Sequence, residues 1–213
     1  MLGLPVLARA LEARPSRRLR QAWEAVHSGQ LGRARQLLGP FLLSSCPRRR
    51  EPARIVLLAA ARIAGDEQAM RALLTGIDRT ALSPDNLRLL REEEVRVLVA
   101  LGQTQEAARS AQALRTEGRG PELERASELL AYALLADGRH GAAERVLEDL
   151  ITAPGASCRR AWALYQLGLL RRRARREAEA QDLFRQAATR GRGTPVGQLA
   201  EQALREGEIP ERI

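Results

Sequence analysis

Glycines recur at a nearly constant interval along this 213-residue chain, each at the end of an apolar stretch. Gly29, Gly65, Gly102 and Gly138 are spaced 36, 37 and 36 residues apart, and one further step of 37 reaches Arg175. Glycine enters the left-handed conformation that ends a helix without strain at Cβ. A fixed interval of this size is typical of helical repeats, in which one supersecondary unit is copied along the chain.

Apolar and small residues keep a fixed register to these five turn positions. Those five, nine and twelve positions after each turn follow the i, i+4, i+7 spacing of one helical face. They are Ala34, Leu38, Phe41, Met70, Leu74, Ile77, Ala107, Ala111, Leu114, Ala143, Leu147, Leu150, Ala180, Phe184 and Ala187. The residues seven and four before each turn form a second stripe: Ala22, Ala25, Leu58, Ala61, Val95, Leu98, Ala131, Leu134, Gly168 and, as an exception, Arg171.

The two stripes predict five helical hairpins. The first helices are expected over 16–28, 51–64, 87–101, 122–136 and 158–174, and the second helices over 31–43, 67–79, 104–117, 140–152 and 177–190. Prolines follow the units at Pro47, Pro84, Pro121, Pro154 and Pro195, and proline cannot continue a helix. Thr194 and Pro195 then begin a final helix to about Glu206, with Thr194 as its N-cap.

The last unit contains a sequence motif that resembles the tetratricopeptide repeat (TPR). Its residues are Trp162, Tyr165, Leu167 and Gly168, then Ala180, Phe184 and Ala187. The period is slightly longer than the family's value of about 34 residues. Trp162 lies two residues earlier than the family's tryptophan, and Arg171 stands where a tyrosine is expected.

The resemblance implies an all-α, right-handed α-solenoid of about five TPR-like hairpins with a C-terminal capping helix. It covers about residues 15–192. The implied divisions are an N-terminal extension or short helix over 1–14, repeats over 15–50, 51–87, 88–123, 124–160 and 161–193, and a capping helix and tail over 194–213. A compact helical bundle is the alternative fold, but it predicts no fixed period.

The basic charge of the chain is carried by arginine alone. The chain has 35 arginines, no lysine and 26 acidic residues, a net charge of +9. The absence of lysine is typical of a GC-rich genome and weakens the usual inference from charge to nucleic acid. A solvated face of arginine and glutamate is the simpler interpretation.

Targeting and cysteine patterns indicate a cytoplasmic protein. The N-terminus lacks a basic region before its apolar stretch, and the longest apolar run, 55–61, is too short to span a bilayer. Residues 43–46 resemble a lipoprotein cleavage box but lie deep in the chain. Cys46 and Cys158 form neither a disulfide framework nor a zinc motif.

The TPR resemblance implies a binding surface on one face of the first helices, which line the concave side of such solenoids. The predicted partner-binding residues are Trp23, Arg96, Glu128, Tyr132, Trp162, Tyr165, Leu169, Arg172 and Arg173. All four tryptophans and tyrosines fall on this face, and aromatics with a polar edge are favoured as anchors. The alternative is that Trp23 and Trp162 only wedge between hairpins as core residues.

Arginine is concentrated in the fifth unit. Residues 158–176 contain seven arginines and no acid, and smaller clusters are Arg14, Arg17, Arg18, Arg20 and Arg48–Arg50. The planar guanidinium group of arginine, with its several N–H donors, suits binding to an acidic peptide, a phosphate-bearing ligand or RNA. Arg172 and Arg173 are expected to face the groove, whereas Arg175 and Arg176 suit the negative end of the helix dipole.

No catalytic motif is present, so the predicted function is a non-enzymatic adaptor with no cofactor and no metal. It would bind a peptide or helix of another protein, with the arginines favouring acidic character. Glu92–Glu94 is interpreted as a solvated acidic run. The alternatives are a nucleic-acid-associated helical-repeat protein and an accessory subunit of a larger bacterial assembly.

Overall fold

The computed structural model describes residues 17–153 and 157–206, and over these ranges the chain is all-α. Eleven α-helices and a 3₁₀ helix at Arg79–Ala81 are present, with no strand in the described ranges. The α-helices are α1 (Arg17–His27), α2 (Leu31–Leu42), α3 (Pro47–Ala64), α4 (Glu67–Gly76), α5 (Pro84–Ala100), α6 (Thr104–Glu117), α7 (Pro121–Ala136), α8 (His140–Thr152), α9 (Ser157–Arg173), α10 (Glu177–Arg190) and α11 (Pro195–Glu206). The all-α prediction is confirmed. The extension over 1–14 and Pro154 lie outside the described residues.

The prolines begin helices rather than separating units. Pro47, Pro84, Pro121 and Pro195 are each the first residue of a helix. Proline is favoured there because its fixed φ suits the helix and its missing N–H would have no partner in the first turn. As a result α3 and α5 begin at 47 and 84, earlier than the predicted 51 and 87.

The helix α4 is shorter than the predicted span of 67–79 and ends at Gly76. The amide of Asp78 donates to the carboxylate of Glu51 at 3.2 Å. The carboxylate of Asp78 in turn accepts from the backbone amide of Thr80 at 3.0 Å. These two hydrogen bonds take the place of helical backbone bonds at Asp78, and the short 3₁₀ turn begins directly after it.

The five repeat turns share one backbone geometry. Gly29, Gly65, Gly102, Gly138 and Arg175 all have positive φ, at 74°, 69°, 74°, 72° and 58°. Each of their amides donates to the carbonyl three residues earlier, and the next amide donates to the carbonyl five earlier, at 2.8–3.2 Å. This is the Schellman arrangement of a helix end. The sequence interval therefore marks a real repeat of backbone structure.

The chain divides into two compact units, one ending at Ser110 and the other beginning at Ala111. In the first unit, helices adjacent in sequence from α1 to α4 pack on one another. The first helices of successive hairpins are also neighbours, since α1 contacts α3 and α3 contacts α5. Predicted stripe residues such as Ala22, Ala34 and Leu58 are fully buried in its core.

In the second unit, α7 to α11 pack in sequence order, and α11 also contacts α9. Phe184, Ala180 and Ala203 form one buried cluster that joins α10 to α11. The Thr194 hydroxyl accepts from the amide of Gly197 at 3.3 Å, so the predicted N-cap of α11 is confirmed. This consecutive packing is compatible with a helical repeat whose last hairpin is covered by α11.

Candidate binding surface

The second unit presents aromatic and apolar side chains on two first helices. Tyr132 on α7 is 40% exposed, one of the few large apolar side chains so open to solvent. On α9, Trp162, Tyr165 and Leu169 are half-buried, and Arg173 is exposed. Their spacing of three and four residues places these α9 side chains along one helical face.

A buried arginine holds α7 and α9 together beneath this surface. Nη1 of Arg159 lies 3.1 Å from Oε2 of Glu124, and its Nε lies 3.4 Å from Oε2 of Glu128. α7 and α9 run in the same direction, because α8 turns back between them. Tyr132 lies one helical turn after Glu128, and Trp162 one turn after Arg159, so each aromatic residue follows the ion-pair bridge along the same face of its own helix. We call Tyr132 and Trp162 the aromatic pair.

Tyr165 and Leu169 contribute to packing as well as to the surface. The Tyr165 ring lies 5.7 Å from the ring of Phe184, and Leu169 packs against the same buried cluster. Both side chains are therefore fixed by the interior of the second unit. Tyr132, at 40% exposed, is the most open aromatic side chain on these two helices.

Arg172 binds to α11, the capping helix, and is not available to a ligand in the way that a solvent-exposed arginine would be. Its Nη2 donates to Oε1 of Glu177 at 3.1 Å and to the carbonyl of Ala203 at 2.8 Å. Its guanidinium carbon lies 4.7 Å from the centroid of the Phe184 ring. One side chain thus joins α9 to α10 and α11.

Most of the arginine surplus around α9 is matched by glutamates of neighbouring helices. Arg171, the exception in the stripe, forms ion pairs with Glu144, Glu148 and Glu179. Arg176 lies 2.6 Å from Glu179. These glutamates belong to α8 and α10. The count of seven arginines and no acid within 158–176 therefore leaves out the residues that neutralise them. Arg173 and Arg175 remain exposed.

In the first unit, Trp23 is a core residue. It is 3% exposed and belongs to the main apolar cluster of that unit. Its ring centroid lies 4.7 Å from that of His27, and its indole Nε1 has no hydrogen-bond partner. The structure places Trp23 as the wedge alternative describes, away from an open groove.

Arg96 belongs to a polar cluster that joins α3 to α5 and acts electrostatically on His27 of α1. Its Nη1 lies 3.3 Å from Oε2 of Glu93, and Nε of Arg62 donates to Oε1 of the same carboxylate at 2.6 Å. His27 donates from Nδ1 to the carbonyl of Trp23 at 3.0 Å. Burial lowers the pKa of His27, and the nearby Glu93 opposes this only in part.

The interpretation of Glu92–Glu94 as a solvated run is wrong for Glu93. Its carboxylate is 1% exposed and is enclosed by the two arginines of the polar cluster. Burial also raises the pKa of Glu94, against the pull of Arg79. The available sequence signal was the helical spacing of Glu93 from Leu90, three residues before it, and from Val97, four residues after it, both of which are buried.

Metal and membrane features were sought over the same residues. Within 17–153 and 157–206, no group of three His, Cys, Asp or Glu side chains could hold a metal ion. No helix in these ranges combines the length and the apolar character that a membrane span requires.

Comparison with known proteins returned no relative. No protein-family model matches the chain, and neither a curated protein nor a solved structure is significantly similar to it. The geometry of the surface therefore carries the functional inference alone.

Proposed function

We propose that this chain is a non-catalytic, cytoplasmic adaptor that binds a peptide or helix of a partner protein. In this proposal the hairpins form a right-handed, TPR-like solenoid, and the first helices line its concave face. The carrying observation is the aromatic pair, because Tyr132 is 40% exposed in a chain whose other tyrosine and Trp23 are used in packing.

The aromatic pair suits a binding anchor on physical grounds. Tyrosine and tryptophan bring a large apolar area with few rotatable bonds, and each keeps a polar group for a hydrogen bond. The Arg159 bridge to Glu124 and Glu128 fixes the two helices that carry them. A ligand would therefore meet a preorganised surface and lose less free energy to ordering.

Selectivity for an acidic partner, in this proposal, rests mainly on Arg173. Arg159, Arg171, Arg172 and Arg176 already bind carboxylates of the chain itself. The same observation weakens the case for nucleic-acid binding through α9. Arg173 is exposed next to the aromatic face and is placed to meet one carboxylate of a bound peptide.

A displayed library of random peptides, selected on the full chain, tests the proposal. A Trp23→Phe background leaves Trp162 as the single tryptophan, since the chain has two. We expect a selected peptide to shift Trp162 emission on binding. Tyr132→Ala and Trp162→Ala are each expected to weaken the peptide about tenfold or more, the usual loss at an aromatic anchor.

Leu199→Ala is the matched control. Leu199 is an exposed apolar side chain on α11, 45% accessible, and is not part of the aromatic pair. Its replacement is expected to leave peptide affinity unchanged. Full peptide affinity in both aromatic variants, with helix content intact, would rule out this surface as the binding site.

A further inference from the structure

Five of the exposed arginines in the first unit that have no ion-pair partner among the described residues lie in α1 or at the start of α3. They are Arg17, Arg18, Arg20, Arg48 and Arg49. Arg50, by contrast, lies 2.9 Å from the buried carboxylate of Glu51. Residues 17–50 contain eight arginines and one acid, Glu24, a local net charge of 8 − 1 = +7. This segment carries more unmatched positive charge than α9 does.

The topology gathers these five arginines at one end of the first hairpin. α2 returns antiparallel to α1 after a tight turn at Gly29, so the start of α1 lies level with the end of α2. α3 begins five residues after α2 ends and packs on both α1 and α2. The start of α3 and the described start of α1 therefore lie toward the same end of the hairpin, and we call this region the arginine end.

Helix stability does not explain arginine at these positions. The N-terminal turn of a helix favours acidic residues, and cations there are unfavourable. α4, α5, α6, α7 and α10 each carry an acidic residue in the first turn, whereas α2, α3, α8, α9 and α11 have none, and the first turn of α3 carries Arg48, Arg49 and Arg50. Arg48 and Arg49 thus lie against the dipole of α3 without an ion-pair partner among the described residues, which indicates a role outside folding.

An apolar side chain projects from the same region. Leu43, between α2 and α3, is 89% exposed, far more than any other large apolar residue described. It is followed by Ser44, Ser45 and Cys46 and then by the arginines of α3. A projecting leucine beside unmatched arginines has no use in contacts to a phosphate backbone, but it suits insertion among acyl chains.

We infer that the arginine end, with Leu43 at its tip, is a docking surface for an anionic lipid bilayer. The five arginines would meet lipid phosphates, and Leu43 would enter the boundary between headgroups and acyl chains. The contact is peripheral, since it needs no spanning helix. The arginine end belongs to the first unit, whereas the aromatic pair belongs to the second.

Vesicle co-sedimentation of the full chain tests this inference. The probe is a vesicle of phosphatidylcholine and phosphatidylglycerol in equal parts, compared with phosphatidylcholine alone at low and moderate salt. We expect binding to the anionic vesicles only, with a loss as salt rises. The double change Arg48→Gln/Arg49→Gln is expected to weaken binding roughly thirtyfold, and Leu43→Ser about tenfold.

Arg33→Gln/Arg35→Gln is the matched control, because it removes the same charge from the opposite end of the same hairpin. It is expected to change vesicle binding less than about threefold. Unchanged vesicle binding in Leu43→Ser, or equal losses in both double variants, would overturn the inference. So would capture of a random DNA duplex without vesicle binding, since that result assigns the arginines to nucleic acid.

Discussion

Gly168 and Phe184 approach so closely that a Cβ atom on Gly168 would lie 2.6 Å from Cε1 of Phe184. Phe184 is fully buried, with the Tyr165 ring 5.7 Å away and the Arg172 guanidinium 4.7 Å from its centroid. The ring is therefore held in place by its neighbours. The contact between α9 and α10 depends on a missing side chain at one position and a large one at the other.

Gly168→Ala is therefore expected to destabilise the chain, although alanine is the better helix former. The gain in helix propensity is about 1 kcal/mol, whereas overpacking a buried site costs about 1–3 kcal/mol. We expect a net loss of about 1 kcal/mol in the free energy of unfolding, measured by urea denaturation.

Two further variants make this test specific. Phe184→Leu should reduce the penalty of Gly168→Ala in the double variant, because the smaller side chain frees space for Cβ. Gly141→Ala, at a helical glycine with nothing within 4 Å of its Cβ position, should be neutral or stabilising. Equal effects of the two glycine changes would show that Phe184 does not limit the space at Gly168.

The fifth repeat turn carries a strained residue. Arg175 has φ of 58°, where the other four turns have glycine, and its side chain is exposed. The left-handed conformation costs a non-glycine residue roughly 1–2 kcal/mol. Arg175→Gly should raise the free energy of unfolding by about 1 kcal/mol, and Gly138→Ala should lower it by a similar amount. A decrease on Arg175→Gly would mean that this arginine makes a contact stronger than the strain it imposes.

The helices could be predicted because their signals are local. Each turn and each apolar stripe is determined by residues within one hairpin, and four of the five turns have the glycine that the backbone requires. α3 and α5 begin earlier than predicted because Pro47 and Pro84, which the repeat pattern interprets as breaks between units, are each the first residue of a helix. The end of α4 depends on Glu51, a residue 27 positions before Asp78, which no local pattern includes.

The binding surface was less predictable, because burial depends on neighbours distant in sequence. Trp23 and Tyr132 both lie six positions before a repeat turn, yet the first is 3% exposed and the second 40%. The distance from the repeat turn places both side chains on the same face of a first helix. It does not determine which neighbouring side chains pack over that face. The arginines of α9 show the same limit, since Arg159 meets Glu124, 35 positions away. Which residues of the surface bind a partner stays a prediction.

Glu51 is a fully buried carboxylate that links the ends of two helices. It lies 2.9 Å from Nε of Arg50 and accepts from Nη1 of Arg54 at 3.3 Å and from the Asp78 amide. Glu51→Leu should lower the free energy of unfolding by about 2 kcal/mol, since both arginines keep access to water and lose less than a buried pair would. Glu51→Gln, which retains an acceptor for the Asp78 amide, should lower it by about half as much.

Glu67→Gln is the control for Glu51. Glu67 and Arg71 form an exposed pair at 3.8 Å, so the change should stay within about 0.5 kcal/mol. Thermal or urea unfolding of the three variants compares the two sites. A Glu51→Leu protein as stable as the Glu67→Gln protein would show that the link to Asp78 contributes nothing to stability.

His27 should make the first unit less stable in mild acid. Burial lowers its pKa in the folded chain below the ordinary value of 6.5, so the unfolded chain takes up a proton first as the pH falls. The stability from neutral His27 is complete above 6.5 and is lost as the pH falls toward the folded pKa. Because His27 is partly exposed, the change in the free energy of unfolding with pH should stay well below the limit of about 1.4 kcal/mol per pH unit.

Urea unfolding between about pH 5 and about pH 8 measures this slope, and His27→Gln should reduce it. The variant is needed because Glu94 acts in the opposite direction. Its pKa is raised above 4.5 by burial, so its folded form holds a proton to higher pH and gains stability as the pH falls. Subtracting the His27→Gln profile from that of the unaltered chain isolates the histidine. A difference that does not change across this range would show that His27 is neutral or charged to the same extent in both states.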